Sequence, residues 1–218
     1  MKTTRRSGLA VLCVAGCKGE APTYGVPEDF SNPPPPPNII TEPHAQFFAN
    51  LQPLCGKAYA GRITANQPTS TTPDPFEGKT LVMHVRGCDD PTREIRIPFH
   101  VGDDRSRTWV LTRTPTGLRP KHDHMHQDGQ PDAVTMYGGD TVGAGTAQRQ
   151  AFPVDAESVA MFKREGLNAS LNNTWAMELV PAKTFVYELS RPSGRLFRVE
   201  FDLTTPVEPP PAPWGADG

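Results

Sequence analysis

Several segments of this chain alternate apolar and polar residues with a period of two, and this pattern constrains the fold more than any other feature. In residues 95–101 the apolar side chains of Ile95, Ile97 and Phe99 fall on one face, and Arg96 falls on the other. Similar runs occupy residues 81–86, 109–111, 175–179, 185–190 and 197–203. Because successive side chains of a strand point to opposite faces, each run predicts a strand with one apolar and one polar side. This pattern is typical of an antiparallel sheet.

The segments between these runs carry turn residues. Clusters of Pro, Gly, Asp and Ser lie at residues 88–92, 102–104, 115–117, 128–131, 181–183 and 192–194. Such clusters favour tight turns, so we expect successive strands to pair as hairpins. One helix is predicted, beginning after Asp155 as N-cap and ending at Gly166.

Eight to ten hairpin-linked strands with one short helix predict a mainly β fold, an antiparallel up-and-down β-barrel that is closed or nearly closed. A β-sandwich or jelly roll is the alternative. In the barrel, the interior would be lined or filled by Trp109, Trp175, Met177, Phe185, Tyr187, Phe197 and Phe201.

The start of the folded region carries a family resemblance. An apolar lead-in at residues 47–54 precedes a Gly-containing first strand at residues 55–61, and this order resembles the entry of a calycin, the lipocalin-like class of barrels. It resembles the nitrobindin-like haem barrels in the same way. That family places its axial histidine late in the chain, whereas no histidine follows His126 here.

The positions of the prolines indicate where the folded domain begins and ends. Of the 25 prolines, many lie between residues 22 and 43 or between 206 and 213, a composition that predicts extended segments without a core. We therefore expect four parts: a signal peptide at 1–16, a Pro-rich tether at 17–43, a barrel domain at 44–205 and a Pro-rich tail at 206–218.

The first 17 residues combine three early cations with a short apolar stretch that ends in Val14-Ala15-Gly16-Cys17. This segment resembles a bacterial lipoprotein signal peptide with its lipobox, whereas an ordinary signal peptide is the alternative. The resemblance implies cleavage before Cys17, a lipid on its sulfur and a membrane as partner. Lys18 after the cut implies an outer-membrane lipoprotein of the bacterial envelope, facing the periplasm or the cell surface.

The cysteine content predicts a disulfide, and the net charge limits the kinds of partner that we expect. With Cys13 removed in the signal and Cys17 lipidated, Cys55 and Cys88 remain as a pair in an oxidising compartment, which predicts a disulfide. The formal net charge is −2, and the sequence has no basic cluster suited to a phosphate backbone. Nucleic acid is therefore excluded as an expected partner.

Three histidines lie within five residues. On a strand, His122, His124 and His126 share a face, with neighbours about 6.6 Å apart, so two of them could bind one Zn, Fe, Mn or Cu ion. Further ligands would come from Asp128, Asp140, His84 or His100. The His-x-His pattern resembles half of a cupin motif, with Asp128 where Glu is usual. The alternatives are a polar, solvent-exposed hairpin arm at the barrel rim and a pH-sensitive histidine patch.

Two neighbouring predicted strands carry cations on their polar faces, namely His84 with Arg86, and Arg96 with His100. We expect these faces to be the solvated side of the sheet. A patch that binds an anionic ligand is the alternative.

These observations give three hypotheses. The first is a non-enzymatic, lipid-anchored protein whose barrel binds a small apolar or amphipathic ligand or a protein partner. Its predicted ligand-binding residues are Trp109, Arg113, Arg119, Tyr137, Trp175 and Tyr187. The second is a metal-dependent hydrolase, isomerase or lyase in which the histidines bind the metal and Arg113 or Arg119 holds an anionic substrate. The third is a structural envelope component that binds proteins through its tails.

Overall fold

The computed structural model describes residues 42–69 and 74–216. The predicted signal peptide, Cys17 and nearly all of the tether lie outside these residues. The strands are β1 (Ala58–Gln67), β2 (Leu81–His84), β3 (Glu94–Val101), β4 (Asp104–Thr114), β5 (Gly117–His124), β6 (Tyr137–Gly138), β7 (Arg149–Pro153), β8 (Thr174–Val180), β9 (Thr184–Ser190) and β10 (Leu196–Asp202). The helices are α1 (Pro43–Leu51) and α2 (Ala156–Arg164), with short 3-10 turns at Gln52–Leu54 and Asn168–Ser170.

The strands form one antiparallel sheet with the order β6-β5-β4-β3-β2-β1-β10-β9-β8-β7. Strands consecutive in the chain are neighbours throughout, except that β1 pairs with β10 and β6 does not pair with β7. The sheet curls into a nearly closed up-and-down barrel with short helices. The predicted fold class is therefore confirmed.

The gap between β6 and β7 is bridged by the start of α2. The backbone amide of Asp155 donates to the Gly138 carbonyl (2.9 Å), and the Gly138 amide donates to Ser158 Oγ (2.8 Å). A Cβ at Gly139 would lie 1.8 Å from the Pro153 carbonyl oxygen, so only glycine permits this close approach. Asp155 caps α2 through the Ser158 amide (2.7 Å), as predicted. The same residues thus begin the helix and join the two edges of the sheet.

Helix α1 covers one end of the barrel. Glu42 accepts hydrogen bonds from the His44 and Ala45 amides at the start of the helix, and the side chains of Phe47 and Phe48 are buried in the core. The sequence pattern predicts an apolar lead-in here but no helix. The Cys55–Cys88 disulfide, with Cα atoms 6.1 Å apart, follows α1 and confirms the predicted pairing.

Alternate residues of the long strands point into the barrel, as the period of two predicts. The apolar faces of β2, β3, β4, β8, β9 and β10 together form one buried cluster. The seven residues predicted to line or fill the interior are all buried in it.

The outer face of β2 and β3 is less exposed to solvent than the sequence predicts. His84 and His100 point outwards yet are only 9% and 3% exposed, because the Pro-rich tail lies along this side of the barrel. Val207 bridges to Ala58 of β1, and the Trp214 amide donates to the Arg105 carbonyl (3.0 Å). Burial lowers the pKa of His100 to about 4. The expectation of a solvated face is therefore wrong for these two histidines.

Candidate ligand cavity

The barrel contains a cavity of about 420 Å³ at the end opposite α1. Side chains from the interior, such as Trp109 and His122, line its inner part. The outer part is lined by Arg191 and Arg195 of the β9–β10 turn and by Leu167, which is 39% exposed. The volume lies within the range of sites for small molecules.

The walls of the cavity are largely aromatic. The Trp109 indole stacks on the Tyr187 ring with centroids 4.4 Å apart, and on its other neighbour Phe99 at 4.9 Å. Phe76, from the segment between β1 and β2, lies 5.0 Å from the ring of Phe197. Aromatic faces of this kind pack against flat or apolar groups with a gain beyond simple burial.

His122 lies at the centre of the barrel and has both ring nitrogens engaged. Nδ1 lies 3.1 Å from the Tyr137 carbonyl oxygen, and Nε2 lies 2.8 Å from the Tyr187 hydroxyl. A carbonyl only accepts, so Nδ1 carries the hydrogen, and in the neutral ring Nε2 accepts from the Tyr187 hydroxyl. Burial lowers the pKa of His122 to about 3. The ring is therefore neutral near pH 7 and fixed as one tautomer.

His124 forms a second histidine–tyrosine pair on the same inward face of β5. Its Nε2 lies 3.1 Å from the Tyr137 hydroxyl. Burial, followed by the charge of Arg107, lowers the pKa of His124 to about 4, and burial raises that of Tyr137 to about 12. Burial also raises the pKa of Tyr187 well above its usual value. The inner cavity thus presents neutral hydrogen-bonding groups on an aromatic surface.

Three arginines surround the outer part of the cavity, and they differ in their partners. Arg107 forms an ion pair with Asp104 (2.5 Å), and Arg195 forms one with Asp74 (3.1 Å). Arg191 donates from Nε to the neutral Asn173 amide oxygen at 2.6 Å. Within residues 42–69 and 74–216, no carboxylate lies within ion-pair distance of Arg191.

The cavity brings together four of the six predicted ligand-binding residues, which are Trp109, Tyr137, Trp175 and Tyr187. The two arginines lie elsewhere. Arg119 is on the outward face of β5 and forms a bidentate pair with Asp140 (2.5 and 2.8 Å). Arg113 lies at the α1 end, beside His44. Neither lines the cavity, so a ligand-binding role for these two arginines stays a prediction.

The predicted metal ligands do not meet at one point. His122 and His124 face the cavity, whereas His126 is exposed, with Nε2 3.6 Å from Asp132. Asp128 accepts from a backbone amide in a turn, and Asp140 is paired with Arg119. Among the described residues, no group of three His, Cys, Asp or Glu side chains is placed to hold a metal ion. A divalent metal at these histidines stays a prediction.

The expectation of a solvent-exposed histidine arm at the rim is wrong for His122, which is 4% exposed. Its neighbours Lys121 and Asp123 point outwards and supply the polar character on which that expectation rested. Lys121 is itself held by Asp155 (2.8 Å) and Glu157 (3.2 Å) on the start of α2. One polar face and one interior face therefore alternate along β5.

Sequence analysis missed cavity residues that come from turns and connections. Phe76, Val134, Leu167 and Arg191 all lie outside the alternating runs. The apolar members carry no period that distinguishes them from ordinary loop residues. The only signal for Arg191 was its position directly before a predicted Pro-Ser-Gly turn.

The fold places the chain in a broad class, the antiparallel β-barrels, and this barrel contains an internal cavity. Comparisons with protein-family models, with curated proteins and with solved structures returned no match to this chain. Among the described residues, neither helix has the length and apolar character that crossing a bilayer requires.

Proposed function

We propose that this chain is a non-enzymatic, ligand-binding protein of the bacterial envelope, held at the membrane by a lipid on Cys17. Its barrel binds one small molecule with an apolar, flat body. The sequence resemblance to lipoprotein signals supports the anchor, and the Pro-rich tether at 17–43 would let the barrel stand clear of the membrane surface.

The observation that carries the binding proposal is a cavity that is closed by α1 at one end and accessible at the other. Binding sites for small molecules combine apolar walls with a few fixed polar groups that orient the ligand. Here the stacked Trp109 and Tyr187 rings supply such a wall. The Tyr187 hydroxyl donates to the fixed His122 ring, so the remaining acceptor capacity of this hydroxyl is oriented before a ligand arrives.

A cavity-filling substitution tests this proposal with the neutral fluorescent probe N-phenyl-1-naphthylamine. The half-buried Val134 lines the cavity, so Val134→Trp places an indole in the space that the ligand would take. We expect the probe to bind wild-type protein with enhanced fluorescence and the variant at least tenfold more weakly. Fluorescence titration gives both dissociation constants.

Val142→Trp is the matched control. Val142 is 83% exposed in a loop near the α1 end, where the carbonyl of Gly143 accepts from His44, so the added indole leaves the cavity unchanged. The control should bind the probe as the wild type does. Equal binding by the wild type and Val134→Trp, or no binding by the wild type, would overturn the proposed function.

A further inference from the structure

The position of Arg191 leads to a further inference, which rests on the proposed function. We propose that the ligand is an organic anion, with a single carboxylate, sulfonate or similar group at the mouth of the barrel and an aromatic body directed inwards. Arg191 binds the anionic group, and the stacked rings around Trp109 pack against the body.

The three arginines at the mouth differ in the charge of their partners. Arg107 and Arg195 each have a carboxylate partner, in Asp104 and Asp74, and their guanidinium groups also lie over aromatic rings. Each of these two cations therefore already has a carboxylate partner and is held in place. Among the described residues, the side chain of Arg191 has only a neutral amide as partner, and the charge of Arg195 contributes to lowering its pKa.

Without a ligand, this arrangement disfavours the charged form of Arg191. Arg191 is half-buried, and partial burial together with Arg195 lowers its pKa from the usual value. An unpaired cation in such a place is destabilised relative to water. An anion on the ligand relieves both effects, and the planar guanidinium offers paired donors that match a carboxylate or sulfonate.

The other charges at the mouth favour one orientation of an anionic ligand. Asp132 is the one carboxylate on the cavity wall within the described ranges, and it lies on the far side of the mouth, where its two oxygens face the Val134 amide (2.7 Å) and His126 (3.6 Å). Its charge acts on His124 rather than on Arg191. A ligand with one anionic group therefore has one favourable orientation, with that group towards the β9–β10 turn.

Two matched probes isolate the contribution of the charge. The sulfonate 1-anilinonaphthalene-8-sulfonate differs from N-phenyl-1-naphthylamine by the anionic group alone. We expect Arg191→Gln to weaken binding of the sulfonate at least tenfold, which corresponds to about 1.4 kcal/mol, and to leave the neutral probe within about twofold. Arg62→Gln, at an exposed residue paired with Glu200 on the outer surface, is the control and should change neither.

A second measurement needs no variant. With wild-type protein, added salt should weaken binding of the sulfonate and not of the neutral probe, because screening acts on the charged pair alone. The inference is overturned if Arg191→Gln weakens both probes equally or neither, or if salt has the same effect on both. Failure of wild-type protein to bind the neutral probe would instead overturn the proposed function itself.

Discussion

The burial of His122 at the centre of the barrel predicts a specific loss of stability in acid. In the unfolded chain a histidine titrates near pH 6.5, whereas burial lowers the pKa of His122 in the folded protein to about 3. Between these values the unfolded state holds one proton more than the folded state. Stability contributed by His122 is therefore fully present above pH 6.5 and is lost as the pH falls towards 3.

The size of the effect follows from the two pKa values. One additional proton on the unfolded chain changes the free energy of unfolding by about 1.4 kcal/mol per pH unit. Between about pH 7.5 and about pH 4.5 the loss from this one residue amounts to about 2.5 kcal/mol. A domain with a total stability of about 5–15 kcal/mol would show this clearly. His100 and His124 have lowered pKa values too, so the wild-type slope is the sum of several protons.

The variant His122→Gln separates one of these protons from the others. The glutamine amide does not titrate. Its NH₂ group can donate to the Tyr137 carbonyl, and its oxygen can accept from the Tyr187 hydroxyl. We expect the variant to be less stable than the wild type at neutral pH and to lose stability less steeply in acid, with the slope reduced by about 1.4 kcal/mol per pH unit. Urea unfolding followed by tryptophan fluorescence at a series of pH values measures both.

His126→Gln is the matched control, because this histidine lies on the same segment with a side chain that is 58% exposed. It should keep the wild-type slope. If His122→Gln and the wild type lose stability in parallel over the whole interval, then His122 is not neutral and buried in the folded protein, and the assignment of its tautomer is wrong as well.

Two further predictions concern the cysteines. Replacing both Cys55 and Cys88 by Ala should lower the free energy of unfolding by about 3.5 kcal/mol, the value expected for a loop closed over a separation of 33 residues. Urea unfolding measures this change, and an unchanged midpoint would contradict the prediction. Cys17→Ser in the full-length chain should move the protein from the membrane fraction to the soluble fraction of a bacterial envelope preparation, whereas Cys13→Ser should not. Membrane retention of the Cys17 variant would contradict the lipid anchor.

The architecture was predictable because strand alternation and turn chemistry are local signals. The run 197–203, for example, shows its inward face without any knowledge of its neighbours, and Asp155 marks the start of α2 through its own side chain. Helix α1 was not predictable in the same way. It is short, it is capped by Glu42 rather than by a usual N-cap residue, and its helical form depends on the open barrel end that its phenylalanines cover.

The charged positions were less predictable, because their environment is decided by distant segments. Whether His84 and His100 are solvated depends on a tail that begins more than a hundred residues later in the chain. Arg113 and Arg119 cannot be distinguished from ordinary strand residues in the sequence. The strand register places Arg119 on the outer face and Arg113 at the α1 end, away from the cavity. Arg191, in contrast, lines the cavity although it lies in a turn. Its proposed role depends on where that turn meets the cavity.

The interior position of His122 nevertheless followed from information in the sequence. Pro115 and Thr116 form the two-residue connection of the β4–β5 hairpin, and counting outwards from that turn pairs Trp109 with His122. Directly paired residues lie on the same face of a sheet, so an inward tryptophan requires an inward histidine. The polar residues beside His122 argue against a core position only if the segment is judged by its average composition. When alternate residues of β5 are assigned to opposite faces, Lys121 and Asp123 lie on the outer face and His122 lies on the face towards the cavity. The loss of stability in acid follows from this inward position of His122.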